Sequence, residues 1–219
     1  MSFNQTDITD NSPIYIDGQP VTMCNEYKYL GSMVQNTGNL ECNIQHRVAA
    51  AWLKWREVTV VTCDKRMPVK LKGLVYKTMI RPALMYGSET WAVTQKNVNT
   101  IQVAEMKMLR WMCGVTRLDK IRNEYVRGSM GVRDIADKMQ ESRLRWYGHV
   151  KRKPPDYAGN LALQLSIPGR RSRGRPKTRW KDVVLKDMKM CQLSDDDVKD
   201  RAKWRAKTRK ADPTTMWDI

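Results

Sequence analysis

The chain has 219 residues, of which 41% are hydrophobic and 29% are charged, and its formal net charge is +17. This composition is typical of a polar globular chain and excludes a membrane-embedded one. A positive excess of this size predicts a polyanionic partner, most often nucleic acid. The five cysteines include no C-x-x-C pair, so neither a disulfide framework nor a zinc ribbon is indicated.

The ends of the sequence carry no targeting signal that can be recognised. The first residues have neither a basic nor an apolar stretch of the secretory kind, and no run reaches the roughly 18 apolar residues of a membrane span. We therefore expect an intracellular protein, in the nucleus or the cytoplasm, with reduced thiols.

The first forty residues predict short strands. β-prone residues flank Asp17-Gly18, which predicts a hairpin over residues 14–23, and a third strand is predicted at residues 27–30. Residues 36–39 (Asn-Thr-Gly-Asn) predict a loop. The positive charge lies almost entirely after residue 43, where the composition also changes.

From Glu41 onward, apolar residues recur at steps of three or four, which predicts helices. The stripe of the first helix comprises Ile44, Val48, Ala51, Trp52, Trp55 and Val58. A second helix is predicted to begin at Pro68 and to bend or end at Arg81-Pro82. Its predicted apolar residues are Leu71, Leu74, Val75 and Met79.

A third helix is predicted between a Thr94 cap and Gly114. Its predicted inward residues are Val98, Ile101, Ala104, Met108 and Trp111. Two further helices are expected near residues 120–127 and 133–151, and Lys153-Pro154-Pro155 ends the second of them.

The remaining residues predict a linker and two more helices. Residues 154–176 are rich in Pro, Gly and Arg, residues 180–191 predict a sixth helix, and Ser194 is expected to cap a seventh that ends at Arg209-Lys210. The predicted fold is mainly α, with a short N-terminal β-hairpin or strand remnant followed by six or seven helices.

The strongest local signal is a basic segment at residues 170–181 (RRSRGRPKTRWK), which contains seven basic and no acidic residues. Such a segment neutralises phosphates and releases their counterions. Its candidate nucleic-acid-binding residues are Arg170, Arg171, Arg173, Gly174, Arg175, Lys177, Arg179 and Lys181. The Arg-Gly-Arg-Pro core also resembles an AT-hook, in which arginines enter a narrow minor groove. General contact with polyanions is the favoured interpretation, and a plain basic loop before the next helix is the alternative.

Five tryptophans follow a Lys or Arg directly: Trp55, Trp111, Trp146, Trp180 and Trp204. We interpret the tryptophans as core residues rather than base-stacking platforms. Cys42 and His46 share a helical face, but no spacing supplies further ligands, so no metal site is predicted. Asp195, Asp196 and Asp197 are explained by a helix start, and no catalytic residue is assigned.

Several blocks, taken in order, resemble the C-terminal part of non-LTR retrotransposon reverse transcriptases, of the RTE/BovB-like group. They are residues 26–32 (EYKYLGS), 81–91 (RPALMYGSETW), 105–113 (EMKMLRWMC), 143–150 (RLRWYGHV), 169–180 and 200–205 (DRAKWR). The resemblance implies a palm-edge β segment with a primer-grip-like hairpin (1–40), a thumb-like helical bundle (41–115), a helical connection (116–153), a basic linker (154–176) and C-terminal helices (177–219).

The resemblance also implies roles. Tyr29, Leu30 and Gly31 would lie near a primer terminus, and residues 41–112 would pack along an RNA–DNA heteroduplex. The family's aromatic-Ala-Asp-Asp turn does not occur in the sequence, which resembles a chain that begins inside the palm. No cofactor is therefore expected here, because Mg²⁺ would belong to the missing palm. An upstream polymerase segment is a further possible partner.

Two alternatives remain open at this point. One is a stand-alone DNA-binding regulator, with helices near residues 120–150 as a helix-turn-helix and residues 173–176 as a minor-groove hook. The other is a decayed relic that folds poorly or only binds other proteins.

Overall fold

The computed structural model describes residues 14–165 and 178–214. Within them, two small antiparallel hairpins precede a mainly helical body, which confirms the predicted fold class. In the first hairpin β1 (Tyr15–Ile16) pairs with β2 (Gln19–Pro20), and in the second β3 (Glu26–Tyr29) pairs with β4 (Ser32–Gln35). The sequence did not predict β4, because Ser-Met-Val-Gln has no alternation of apolar and polar residues. All four of these residues are partly buried.

The helical body follows in nine α-helical segments within the described residues. They are α1 (Glu41–Thr62), α2 (Val69–Val75), α3 (Arg81–Met85), α4 (Gln95–Cys113), α5 (Asn123–Met130), α6 (Ile135–Lys151), α7 (Ala158–Gln164), α8 (Trp180–Met190) and α9 (Arg201–Thr208). A π-helical segment (Tyr76–Ile80) joins α2 to α3, and 3₁₀ turns lie at Ser88–Thr90 and Asp196–Val198.

The second helix differs from its prediction in the face that it buries. Leu71, Leu74 and Met79 were expected to point inward, yet they are among the exposed apolar side chains. Lys72 and Gly73 are buried instead. The prediction was wrong because Gly73 allows α5 to approach closely, and because the ammonium group of Lys72 is satisfied by the Met112 carbonyl at 2.8 Å.

The predicted bend at Pro82 takes the form of the π-helical segment that ends at Ile80. Proline lacks an N–H group and clashes with the carbonyl four residues earlier, so a regular helix cannot pass through it unchanged. A widened turn just before it is one recognised way to accommodate that disruption.

The caps of α4 confirm their prediction. The Thr94 hydroxyl accepts from the Asn97 N–H, and Gly114 ends the helix with φ +67°. Trp111, however, was expected to be buried and is 66% exposed. Ile101, Ala104 and Met108 are buried as predicted, and in the last turn the buried position is Met112 instead of Trp111.

The C-terminal region differs in two details. Asp200, not Ser194, caps α9, since its carboxylate accepts from the Lys203 N–H at 2.9 Å. The Ser194 N–H donates to Asp197 and opens only a short 3₁₀ turn. The predicted linker also contains a helix, α7.

Two hydrophobic clusters form the core of the described residues. The first is built from α1, the α2–α3 region, α4, α5 and the first half of α6, around Ile44, Ala51, Tyr76, Leu84, Ile101, Met108 and Met139. The second comprises Leu144, Tyr147, Val184, Met188, Leu193, Val198 and Trp204. Because α6 contributes its first half to one and its second half to the other, it joins the two regions. No helix in the described ranges is long and apolar enough to cross a membrane.

Candidate nucleic-acid interface

The second hairpin turns at Leu30 and Gly31, two of the three residues that the resemblance places near a primer terminus. Both residues have positive φ, +46° and +87°, as a two-residue hairpin turn of the primed type requires. Such a conformation is unfavourable for leucine. The turn is held by its neighbours: the Tyr86 hydroxyl donates to the Leu30 carbonyl at 2.9 Å, and the Arg47 guanidinium donates to the Gly31 carbonyl.

Two polar residues of α1 form hydrogen bonds with the second hairpin. The Asn43 side chain accepts from the Met33 N–H at 3.0 Å, and the buried Arg47 guanidinium lies 5.0 Å from the centre of the Tyr86 ring. Burial, together with the positive charges of Arg47 and Lys28, lowers the pKa of His46. The sequence analysis did not single out Asn43 and Arg47, because polar residues inside an apolar stripe do not reveal which strand they contact.

A groove of about 790 Å³ lies between the hairpin and the block at residues 81–91, which both line it. Its lining residues include Tyr29, Leu30, Val34, Arg81, Pro82, Met85, Tyr86, Thr90 and Ser142. Gly87 (φ +77°) allows the close approach, since a Cβ there would lie 3.2 Å from the Ser32 hydroxyl oxygen. The size suits a nucleotide-sized group, and the Tyr29 and Leu30 side chains at its rim are largely exposed.

The end of the basic segment is fixed beside this groove. The Trp180 indole N–H donates to the Glu89 carbonyl at 2.7 Å, and Glu89 lines the groove. Arg179 and Lys181 flank Trp180 and are exposed. The other predicted binding residues, Arg170, Arg171, Arg173, Gly174, Arg175 and Lys177, lie outside the described residues.

The tryptophans divide into two groups. Trp55 and Trp204 are buried as expected, and Trp180 is partly buried. The interpretation as core residues was wrong for Trp111 and Trp146, which are exposed. Trp111 packs only edge-on against Trp55, whereas Trp146 stacks on His149 with the ring planes 17° apart. Their sequence contexts are the same Leu-Arg-Trp, so only the tertiary packing distinguishes them.

A buried ion network joins α4, α5 and the π-helical segment. Glu105 is fully buried, and it accepts from the Tyr76 hydroxyl at 2.9 Å and from two nitrogens of Arg127 at 3.2 and 2.9 Å. Arg127 also contacts Asp134 at 3.0 Å. Burial raises the pKa of Glu105 to about 7, while Arg127 and Tyr76 oppose that shift. Because solvent does not reach Glu105, the network stabilises helix packing and contacts no ligand.

Metal ligands are not brought together in the described part of the chain. Over residues 14–165 and 178–214, no three His, Cys, Asp or Glu side chains cluster in a way that could hold an ion. The Cys42 thiol donates instead to Glu26 at 3.4 Å, and burial together with this carboxylate raises its pKa.

Comparison with known proteins agrees with the sequence blocks. The chain is 26% identical to a transposon-derived protein of Caenorhabditis elegans, over 93% of this chain and 78% of that protein. It is 25% identical to the RNA-directed DNA polymerase from the mobile element jockey of Drosophila funebris, over 78% of this chain. It is 22% identical to an RNA-directed DNA polymerase from the transposon X-element of Drosophila melanogaster, over 75% of this chain.

These matches define how far the relationship extends. The chain spans only 18% of the length of each of the two polymerases. No family model and no solved structure matches it. The RTE/BovB-like assignment stays a prediction, because the relatives do not test it. Over most of its length, the chain is similar to part of the RNA-directed DNA polymerases of the non-LTR elements jockey and X-element.

Proposed function

We propose that this chain is a nucleic-acid-binding part of a retrotransposon RNA-directed DNA polymerase, which holds template and primer, or target DNA, and does not itself transfer nucleotides. The main support is that separate sequence blocks meet at one groove. The hairpin turn, the 81–91 block and Ser142, directly before the 143–150 block, line it. Trp180 fixes the end of the basic segment to its wall.

The charge of the chain supports nucleic acid as the partner. The formal net charge is +17, and the basic segment of residues 170–181 ends beside the groove. Phosphates neutralised by Lys and Arg release condensed counterions, so binding of this kind is strong and depends on salt. The A-form shape of a heteroduplex is recognised mainly through its backbone and 2′-hydroxyls.

The lack of nucleotide transfer rests on the sequence. The chain contains no aromatic-Ala-Asp-Asp tetrapeptide, and Mg²⁺ would be held by palm residues that the family carries upstream. Primer extension on poly(A)·oligo(dT) with Mg²⁺ or Mn²⁺ should give no product above a heat-inactivated control. Template-dependent incorporation would contradict this part of the proposal.

The regulator alternative is disfavoured by the geometry of α6. A recognition helix presents its first turns to a DNA groove. Asp134 caps α6 and Asp137 lies in its first turn, while Ile135 and Met139 are buried in the first cluster. Carboxylates at that position repel phosphate, and the buried residues are not accessible to base edges.

The binding role is tested by removing the charge of the basic segment. We expect substitution of Arg170, Arg171, Arg173, Arg175, Lys177 and Arg179 by Gln to weaken duplex binding. The slope of log K against log[salt] should shrink by roughly five, at about 0.9 per phosphate contacted. Binding is measured by fluorescence anisotropy at three or more salt concentrations, with a heteroduplex and with DNA duplexes rich in A·T or G·C.

The matched control removes the same charge elsewhere. Six exposed residues outside residues 41–112 and 170–181, after α4 and in or directly after the C-terminal helices, are changed to Gln: Arg117, Lys120, Arg122, Lys189, Arg205 and Arg209. This variant should keep most of the salt slope. Equal losses in both variants would show that only the total charge matters, and would contradict a specific anchor at residues 170–181.

A further inference from the structure

α6 has one face that neither cluster covers. Leu144, Tyr147 and Val150 are buried, and Arg143 is tied to Asp187 at 2.9 Å. The outer positions are Arg145, Trp146 and His149, which are all exposed. Together with Ser142 they follow the spacing i, i+3, i+4, i+7, so they form one continuous strip along the helix.

The strip begins at the groove. Ser142 lines the groove beside Thr90 and Tyr86, and Trp146 lies one helical turn further along α6. A strand that leaves the groove along α6 therefore meets Trp146 next. The distance, about 6 Å between successive turns of one face, is close to the spacing of neighbouring nucleotides in an extended strand.

The chemistry of the strip suits an unpaired base. The Trp146 and His149 rings are stacked, with centroids 5.6 Å apart and planes 17° apart, and Trp146 is 36% exposed, so the two rings form a short aromatic stack at the surface that a base can extend. Arg145, next to Trp146 in the chain, has a side chain that is 72% exposed, and its guanidinium contacts Glu141 one turn earlier on α6. Aromatic rings stack on bases of any sequence, and neighbouring cations contact the phosphates.

We propose that Trp146 and His149 form a stacking site for a base of single-stranded nucleic acid, on the path of a strand that leaves the groove. This inference rests on the proposed function and specifies the form of its ligand. A duplex does not fit this aromatic stack, because its base faces are covered by their neighbours, whereas a single strand offers them freely.

The test compares two exposed tryptophans of the same local sequence. Trp146→Ala should weaken binding of labelled dT₂₀ by the full chain about fivefold to a hundredfold, the range of one lost base–aromatic stack. Trp146→Phe should retain most of the affinity. Trp111→Ala is the matched control, since Trp111 is exposed, also follows Leu-Arg and lies near the far end of α4; it should bind like the wild type.

A second ligand separates stacking from charge and from misfolding. On an abasic 20-mer, which keeps the phosphates and lacks the bases, wild type and Trp146→Ala should bind equally. A 20-base-pair duplex should also not distinguish them. Equal binding of dT₂₀ by Trp146→Ala and Trp111→Ala, or an equal loss on the abasic strand, would overturn the stacking site and leave the proposed function standing. Failure of the wild type to bind any nucleic acid would instead overturn the proposed function.

Discussion

The two hydrophobic clusters that meet on α6 differ in size and in the partners of their polar groups. The first combines aliphatic, methionine and aromatic side chains with the buried Glu105–Arg127 pair, which the Tyr76 hydroxyl joins. The second is smaller and relies on aromatic residues with satisfied polar ends: the Tyr147 hydroxyl donates to Asp195 at 2.7 Å, and the Trp204 indole donates to the Leu144 carbonyl at 3.0 Å. A small cluster gains much of its stability from such large amphipathic side chains.

Each cluster also depends on a helical glycine, and the two glycines meet different atoms. A Cβ at Gly73 would lie 1.9 Å from the Met130 backbone carbonyl oxygen. A Cβ at Gly148 would lie 2.5 Å from the Trp204 indole nitrogen. A backbone atom moves only with its whole helix, whereas an indole can shift by itself. The contact between α2 and α5 at Gly73 should therefore tolerate an added methyl group less well than the contact at Gly148.

The largest effect is expected from Gly73→Ala. Within a helix this substitution normally stabilises by up to about 1 kcal/mol. Here the clash with α5 should reverse the sign and lower the free energy of unfolding by about 3 kcal/mol, at the upper end of overpacking costs. Urea unfolding followed by circular dichroism measures the change. An unchanged midpoint would show that α2 and α5 are not this close.

A smaller loss, about 1–2 kcal/mol, is expected from Gly148→Ala. The obstructing atom is the Trp204 indole nitrogen, so the cost should nearly vanish in a Trp204→Phe background. A double-mutant cycle from urea unfolding measures this coupling directly. Additive effects of the two substitutions would mean that some other neighbour of Gly148 sets the cost.

The last expected effect depends on pH and distinguishes the buried Glu105 network from the contacts of Asp195 with Tyr147 and Lys151 in the second cluster. Burial raises the pKa of Glu105 from 4.5 to about 7, so the folded state binds an extra proton between those values. The proton on Glu105 therefore stabilises the folded state at low pH. As pH rises from about 4.5 to about 7, this proton is lost and the free energy of unfolding falls, with a slope of at most about 1.4 kcal/mol per pH unit. Glu105→Gln should flatten this part of the stability curve.

The control for that experiment lies in the second cluster. The Tyr147 hydroxyl and Lys151 hold the pKa of Asp195 below its ordinary value. Its contribution is present above the ordinary carboxyl range and is lost only on further acidification, the opposite sign to Glu105. Asp195→Asn should therefore leave the slope between pH 5 and 7 unchanged. A flattened slope in this variant would show that Asp195, and not Glu105, titrates between pH 5 and 7.

Much of the candidate site was already indicated by the sequence. The Tyr29–Gly31 turn and the 81–91 block were both singled out there, and both contribute to the groove, whereas Trp180, interpreted as a core residue, lies beside it. Asn43 and Arg47 were missed, since an apolar stripe does not indicate which polar residues within it are tied to a neighbouring strand. The distinction between Trp111 and Trp146 was missed for a similar reason, because both occur in the same tripeptide on a helix.

By itself, the sequence determined the properties that depend on local chemistry. The Thr94 cap, the Gly114 stop, the proline-induced change near Pro82 and the overall helical class follow from neighbouring residues along the chain. Only the tertiary structure decided which face of α2 is buried, because that depends on the backbone of α5 fitting against Gly73. It also decided that α9 is capped by Asp200 and that α6 joins two clusters, since burial and long-range hydrogen bonds are set by elements distant in sequence.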